Sequence, residues 1–273
     1  LYCKNIVVYL VEDRSVSHNW GMMIYKFRMV AVAALLGFGL VAGPSLATGA
    51  ELTNSEKERF ESVIRDYLLN NPEILIESLN TFRARQESEA EANALAALQL
   101  MSQSLLDDPM VPKAGNDNGT ITLVEFFDYQ CGYCKQAFPA VQELVKTDGN
   151  IRYVLKEFPI LGPESVVASR YALATWLVQP ERYEDFRMAM MLNRGGLPTE
   201  KVRMLGAHAG VDIDAIEAAL DDPKIEAAIQ ATYAQAQSLN INGTPAFIVG
   251  DRIVPGAVDL ETLRKIVAEE RAG

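Results

Sequence analysis

The chain has 273 residues, 49% of them apolar and 22% charged, with 36 acids against 25 bases and three cysteines. The apolar share is that of a globular protein and excludes wholesale disorder, and the length allows one large domain or two ordinary ones. A net charge of −11 argues against nucleic acid as a partner, because phosphate backbones demand a basic face, and three cysteines are too few for a disulfide-built scaffold.

Residues 29–42 form an uncharged apolar run, with Lys26 and Arg28 before it and Ser45-Leu46-Ala47 after it. A basic start, a short apolar core and small residues at the cut predict an export signal cleaved near Ala47, and hence a periplasmic protein. The run is shorter than the ~20 residues of a spanning helix, although an uncleaved anchor is the alternative. A mixed segment ahead of such a signal is unusual. Translation is therefore expected to begin at Met22 or Met23, which leaves residues 1–21, with Cys3 and His18, as an extension without a role. Removing residues 1–47 leaves 21 bases against 34 acids, two cysteines and one histidine, His208.

Thr53-Asn54-Ser55-Glu56 has the capping-box pattern, followed by Phe60, Val63, Ile64, Tyr67 and Leu68 at helical spacing. Asn71-Pro72-Glu73 restarts a helix with a cap, a first-position proline and an acid in the first turn. Ile74, Leu75, Leu79 and Phe82 continue the stripe. Residues 83–93 are mostly polar, and Leu95, Leu98, Met101 and Leu105 resume it. No Gly or Pro interrupts residues 73–106, so the pattern predicts one helix of roughly 50 Å. With no sheet beside it in sequence to cover its stripe, residues 48–107 read as a helical oligomerisation stalk. A helical arm packed on its own domain is the alternative.

Residues 108–119 are a connector rich in Pro, Gly, Asn and Asp. Ile121–Phe127 has a buried-strand pattern, a helix is predicted from about Cys131 to Lys146, and a second strand spans Ile151–Glu157. Residues 164–240 read as helices broken near Pro180, Gly195, Pro198, Gly210 and Pro223. Ala246–Val249 and Arg252–Val254 flank Gly250-Asp251, a hairpin signal, and a last helix runs from about Leu260 to Glu270. The order βαβ, helices, ββα predicts an α/β thioredoxin-like fold with an inserted helical domain and an N-terminal helical stalk. Its first half is 108–162, the insertion 163–222 and its second half 223–273.

The chemistry collapses onto Cys131-Gly132-Tyr133-Cys134, at the exit of a strand and the start of a helix. Backbone N–H groups and the macrodipole there stabilise a thiolate. Cys131 is thus expected to be the exposed nucleophile and Cys134 the shielded thiol that resolves its mixed disulfide. Structural zinc needs four ligands, and His208 alone remains to help. Haem attachment needs His at position 135, which is Lys. A merely structural bridge across so tight a turn constrains little.

Glu125-Phe-Phe-Asp-Tyr-Gln-Cys-Gly-Tyr-Cys-Lys resembles the active-site strand and helix of the DsbA superfamily of exported thiol:disulfide oxidoreductases. Asn242-Gly-Thr-Pro-Ala-Phe resembles the cis-proline loop of that superfamily. The resemblance covers roughly residues 108–271. It implies that Thr244 and cis-Pro245 lie beside the sulfurs and bind extended client backbone. It also implies that Glu125 is a buried proton relay, for which a paired structural carboxylate is the alternative. No cofactor beyond the Cys131–Cys134 pair is implied. Lys156 and Glu157 are expected to be neighbours of the site without a catalytic role. Tyr67–Leu75 is similar to the N-terminal region of the ScsC-like branch, in which a stalk trimerises the catalytic domains.

Gly132-Tyr133 between the cysteines, with Thr before the proline, resembles the isomerase and reductase members. Tyr133 supplies no second cation beside Cys131, which tilts the reading towards repairing wrong disulfides. The implied partners are unfolded or misoxidised exported proteins, a membrane-bound thiol reductase as electron donor, and further copies of the chain, a trimer being favoured. A dithiol oxidase, or a binding protein that sequesters copper(I) or holds clients, are the alternatives. His208 reads as a helix-end partner, and Met188, Met190, Met191 and Met204 read as insertion core.

Overall fold

The computed structural model describes residues 52–106 and 108–272. The export-signal segment, Cys3, His18 and the cleavage position near Ala47 lie outside the described residues. Helix α1 spans Asn54–Asn70 and α2 spans Glu73–Leu106. The capping box forms as its letters predict: Thr53 Oγ1 accepts from Glu56 N at 3.3 Å, and Glu56 Oε2 accepts from Thr53 N at 2.9 Å.

Five strands follow, β1 (Lys113–Gly115), β2 (Ile121–Phe127), β3 (Ile151–Glu157), β4 (Ala246–Val249) and β5 (Arg252–Pro255), in spatial order β1-β3-β2-β4-β5. β2 and β3 are parallel and joined through α3 (Gly132–Asp148), whereas β1, β4 and β5 pair antiparallel to their neighbours. Between β3 and β4 lie α4 (Pro163–Val178), α5 (Tyr183–Leu192), α6 (Thr199–His208), α7 (Ile213–Ala219) and α8 (Pro223–Ser238), and α9 (Leu260–Ala272) closes the chain. This is the thioredoxin-like plan with a helical insertion.

Strand β1 lies within the segment that reads as a connector. Three residues, Lys-Ala-Gly, carry no periodicity that could announce a strand. They are recruited by backbone pairing alone, Lys113 opposite Val154 and Gly115 opposite Arg152. Gly119 just beyond is obligatory, since a Cβ there would lie 2.5 Å from Arg152 N.

β2 and β3 are buried on both faces because both faces are covered. On one face Leu123, Phe127, Tyr153, Leu155 and Phe247 pack with Cys134, Phe138 and Val141 of α3 and with the insertion. On the other, Val124, Phe126, Val154 and Ile248 pack with Leu239 and Ile241 and, unexpectedly, with Leu98 and Leu105 of α2. The expectation that α2 has no sheet to cover therefore holds for only part of its length. Its last turns lie on the second face of the sheet, while Leu75, Ile76, Leu79 and Phe82 stand exposed. Among the described residues, no helix is long and apolar enough to cross a membrane.

Leu105 is 1% exposed in that second cluster. Leu105→Ala is expected to cost about 2–4 kcal/mol in urea unfolding of the full chain. An unchanged midpoint would mean that α2 does not cover the sheet.

Candidate active site

The site forms where β2 ends and α3 begins. Asp128, fully buried, shapes the turn between them. Its Oδ1 accepts from Gln130 N at 2.7 Å and from Ser165 Oγ at 2.7 Å, and its Oδ2 accepts from Leu161 N at 3.0 Å. Its carbonyl accepts from Cys131 N at 3.1 Å. Asp-x-x turns of this kind orient a backbone before a helix, and this one delivers Cys131 to the N-cap position of α3.

Cys131 and Cys134 are free thiols and both are buried, Cys131 at 6% exposed, so the expected exposed nucleophile is instead covered by the loop that carries Thr244. Cys131 Sγ accepts from Cys134 N at 3.4 Å and lies 3.2 Å from the Thr244 carbonyl, to which the protonated thiol donates. The Thr244–Pro245 bond is cis, which puts that carbonyl against the sulfur although 113 residues separate the two in sequence. Chiefly through the Cys134 thiol, and further through Thr244 and the N–H groups of Cys134 and Tyr133, the Cys131 thiol is pulled down to about 5 against the cost of its own burial. Cys134, fully buried, is pushed well above the ordinary thiol range by the same contact with Cys131, by burial and by the charge of Glu125. One sulfur is thereby a thiolate at neutral pH and the other a thiol.

Tyr133 is 67% exposed, and a Cβ added at Gly132 would meet nothing within 4 Å, so the dipeptide between the cysteines faces outward. Glu125, opposite Phe247 of β4, is fully buried, and its Oε2 accepts from the Tyr153 hydroxyl. Burial raises its carboxyl above the usual range, with Arg187 and Tyr153 opposing. Glu157, also buried, accepts from Tyr129 Oη at 2.7 Å, Tyr183 Oη at 2.8 Å and Ser169 Oγ at 2.7 Å, and burial lifts it to about 7. Lys156 turns to the opposite face of the sheet. Among the described residues its buried Nζ has no hydrogen-bond partner, and burial lowers it to about 8.

Of the residues expected at the site from the sequence, Cys131, Gly132, Tyr133, Cys134, Glu125, Thr244 and Pro245 all lie at this end of the sheet. Asp128 escaped it, although an Asp two residues before Gln130 N is a local turn signal. Gln130 escaped it too: Nε2 donates to Glu164 Oε2 at 2.6 Å, and the same oxygen accepts from Leu197 N at 2.7 Å, tying the turn to the insertion. Behind the cis-proline loop a cavity of about 570 Å3 is lined by Ala94 and Leu95 of α2, Ile241, Pro245, Ile253 and Pro255. Among the described residues, no group of three or more His, Cys, Asp or Glu is placed to hold a metal ion.

Residues 122–268 match the family described as DSBA-like thioredoxin domain, and residues 56–89 match the Copper resistance protein ScsC N-terminal domain. A solved thioredoxin-like oxidoreductase from Silicibacter pomeroyi DSS-3 is 40% identical, with a TM-score of 0.60 over 62% of this chain and 97% of that one. Proteus mirabilis ScsC in a transitional conformation is 28% identical, with a TM-score of 0.61 over 81% of this chain and 99% of that one. The Na(+)/H(+) antiporter NhaA 1 of Salinispora arenicola is 28% identical over 190 residues, 67% of this chain but 29% of the antiporter. The chain thus spans under a third of the length of that curated relative.

Reduced protein titrated from alkaline to acid pH is expected to lose thiolate ultraviolet absorbance with a midpoint near 5, and Cys131→Ser should remove that transition. Because the folded-state value is depressed, the stability contributed by the thiolate is fully present above the ordinary thiol range and is lost as pH falls through about 5. The stability advantage of the reduced over the oxidised form should shrink over that window. A midpoint near that of an ordinary thiol, about 8.5, would overturn the assignment.

Proposed function

Because the chain belongs to the DSBA-like thioredoxin domain family, we propose that it is a thiol:disulfide oxidoreductase that isomerises or reduces wrong disulfides in exported proteins. The observation that carries this reading is the asymmetry of the pair: a sulfur at a helix N-terminus that accepts from Cys134 N, with a shielded thiol one turn behind. The Cys131 thiolate attacks a client disulfide, forms a mixed disulfide and expels one client sulfur as a thiolate. A different client thiolate then attacks the client sulfur bonded to Cys131, a new client disulfide forms, and Cys131 leaves as the thiolate, which is isomerisation. Alternatively Cys134 gives its proton to Glu125 and attacks Cys131 Sγ. The second client sulfur leaves as a thiolate, the client is reduced by two electrons, and the Cys131–Cys134 disulfide is formed. Extended client backbone rests against Thr244 and Pro245, and Tyr133 contacts it from the exposed end of α3.

This reading requires a dithiol donor to keep Cys131 reduced, in the form of a membrane-bound thiol reductase. It places the chain in the periplasm after cleavage near Ala47. The exposed face of α2 and the match over residues 56–89 support assembly of several copies, most simply three, through a stalk within residues 48–107. The catalytic halves are then 108–162 and 223–273 around an insertion at 163–222.

A dithiol oxidase is the second reading, favoured by the thiolate near 5, since a stabilised reduced form makes the disulfide a stronger oxidant. Full-length protein incubated with a scrambled-disulfide test protein in glutathione buffer separates the two. Recovery well above buffer alone supports the isomerase. Disulfide formation in a reduced client without such recovery favours the oxidase. Leu79→Glu with Phe82→Glu is expected to lower the sedimenting mass and the isomerisation rate while simple reduction persists, and an unchanged mass would remove the stalk from the proposal.

A further inference from the structure

The insertion buries one arginine against rings of the cluster that contains Cys134. Arg187 of α5 has a fully buried side chain. Its guanidinium carbon lies 5.0 Å from the ring centroid of Phe138, 5.5 Å from that of Tyr153 and 5.9 Å from that of Phe127. Glu184, one turn earlier, accepts from Nε at 2.9 Å and from Nη2 at 2.7 Å, but among the described residues Nη1 has no hydrogen-bond partner. Glu125 has the complementary deficit. Its Oε2 is held by the Tyr153 hydroxyl, while its buried Oε1 has no partner. Tyr153 therefore touches both groups, with its hydroxyl on the carboxyl and its ring against the guanidinium. Within so buried a cluster water screens little, whereas Glu184, with 38% of its side chain exposed, is partly screened.

We propose that Arg187, packed on the same Tyr153 that holds Glu125, is the positioning residue for that acid, so that the helical insertion sets the pH range in which the mixed disulfide is resolved. This rests on the thiol–disulfide reading of the same site. The charged or titratable groups facing Glu125 are Tyr153 from β3, Arg187 and Glu184 from α5, and Cys131 and Cys134 from the start of α3. Phe247, opposite on β4, carries no charge. Burial is the largest influence on the Glu125 carboxyl and raises it. Arg187 is the strongest influence against, ahead of the Tyr153 hydrogen bond, and Glu184 and Cys131 add to the rise. Only a carboxylate can take the Cys134 proton. In the resolving step Glu125 becomes a neutral carboxyl, the Cys134–Cys131 bond forms, the bond from Cys131 to the client sulfur breaks, and the client thiolate leaves. Deprived of its cation, the buried carboxyl is shifted further towards its neutral form and becomes a poorer acceptor for the Cys134 proton.

The test is the pH dependence of resolution in full-length protein carrying a mixed disulfide between Cys131 and glutathione, with release of glutathione followed by stopped flow. Arg187→Met is expected to shift the midpoint of the rate upward by about one pH unit or more and to slow release at pH 7 about tenfold. Arg187→Lys should restore most of both. On a Glu125→Gln background the rate is already low, and adding Arg187→Met should leave it unchanged. A folded Arg187→Met protein with the wild-type midpoint overturns the proposal, as does an equal effect of Arg187→Met on the Glu125→Gln background. Should Arg187→Met not fold, Glu184→Gln, at a partly exposed position, frees Arg187 towards Glu125 and must move the midpoint downward; an unmoved midpoint overturns the proposal. Wild-type protein that never releases glutathione refutes the oxidoreductase reading itself, whereas normal wild-type release with an unaltered Arg187→Met midpoint refutes the role of Arg187 alone.

Discussion

The site depends on one contact, between the sulfur at the N-terminus of α3 and the carbonyl of Thr244. A helix end offers N–H groups to a thiolate wherever it occurs. What makes this one selective is a loop from the far end of the chain, and the sheet register fixes where that loop lies. Phe126 pairs with Ala246, and Glu125 with Phe247, so β4 starts immediately after Pro245 at the strand that feeds the cysteines. A slip of one residue would carry Thr244 about 3.4 Å along the sheet and turn Phe247 out of the core.

Below that contact the molecule accepts a concentration of buried polar groups that stability alone would not favour. Glu125, Glu157, Asp128 and Arg187 are all buried, between the sheet and the insertion. Most of their atoms are partnered: three hydroxyls hold Glu157, and two N–H groups and a hydroxyl hold Asp128. Among the described residues, the unpartnered atoms of these four are on Glu125 and Arg187, which both touch Tyr153. Unsatisfied buried groups are costly, and functional sites are where such costs are found.

Much of this was legible in the sequence. Ile121–Phe127 and Ile151–Glu157 are rich in β-branched and aromatic residues, and the strands keep those bounds. The cysteine pair was recognisable because it sits between a strand and a helix, and Asn242–Phe247 because it resembles a known loop. Tertiary decisions were not legible. Lys113–Gly115 is a strand by pairing, not by pattern. The end of α2 is buried against a sheet that lies after it in sequence and shares no periodicity with it. Arg187 did leave a signal: it falls four residues after Tyr183 and three before Met190, on the buried face of α5. A charge on such a face calls for a partner, but no spacing rule names one on another strand.

Helix α2 is a single element of 34 residues, packed on the sheet at one end and bare and apolar at the other. Its two ends are thus locked in phase. Each residue of an α-helix turns the chain by about 100° and advances it by about 1.5 Å. The direction in which Leu75, Leu79 and Phe82 face is therefore counted out, residue by residue, from Leu98. The polar stretch 83–93 joins the two ends, so that one residue more or fewer within it would swing the bare face by about 100° relative to the end packed on the sheet.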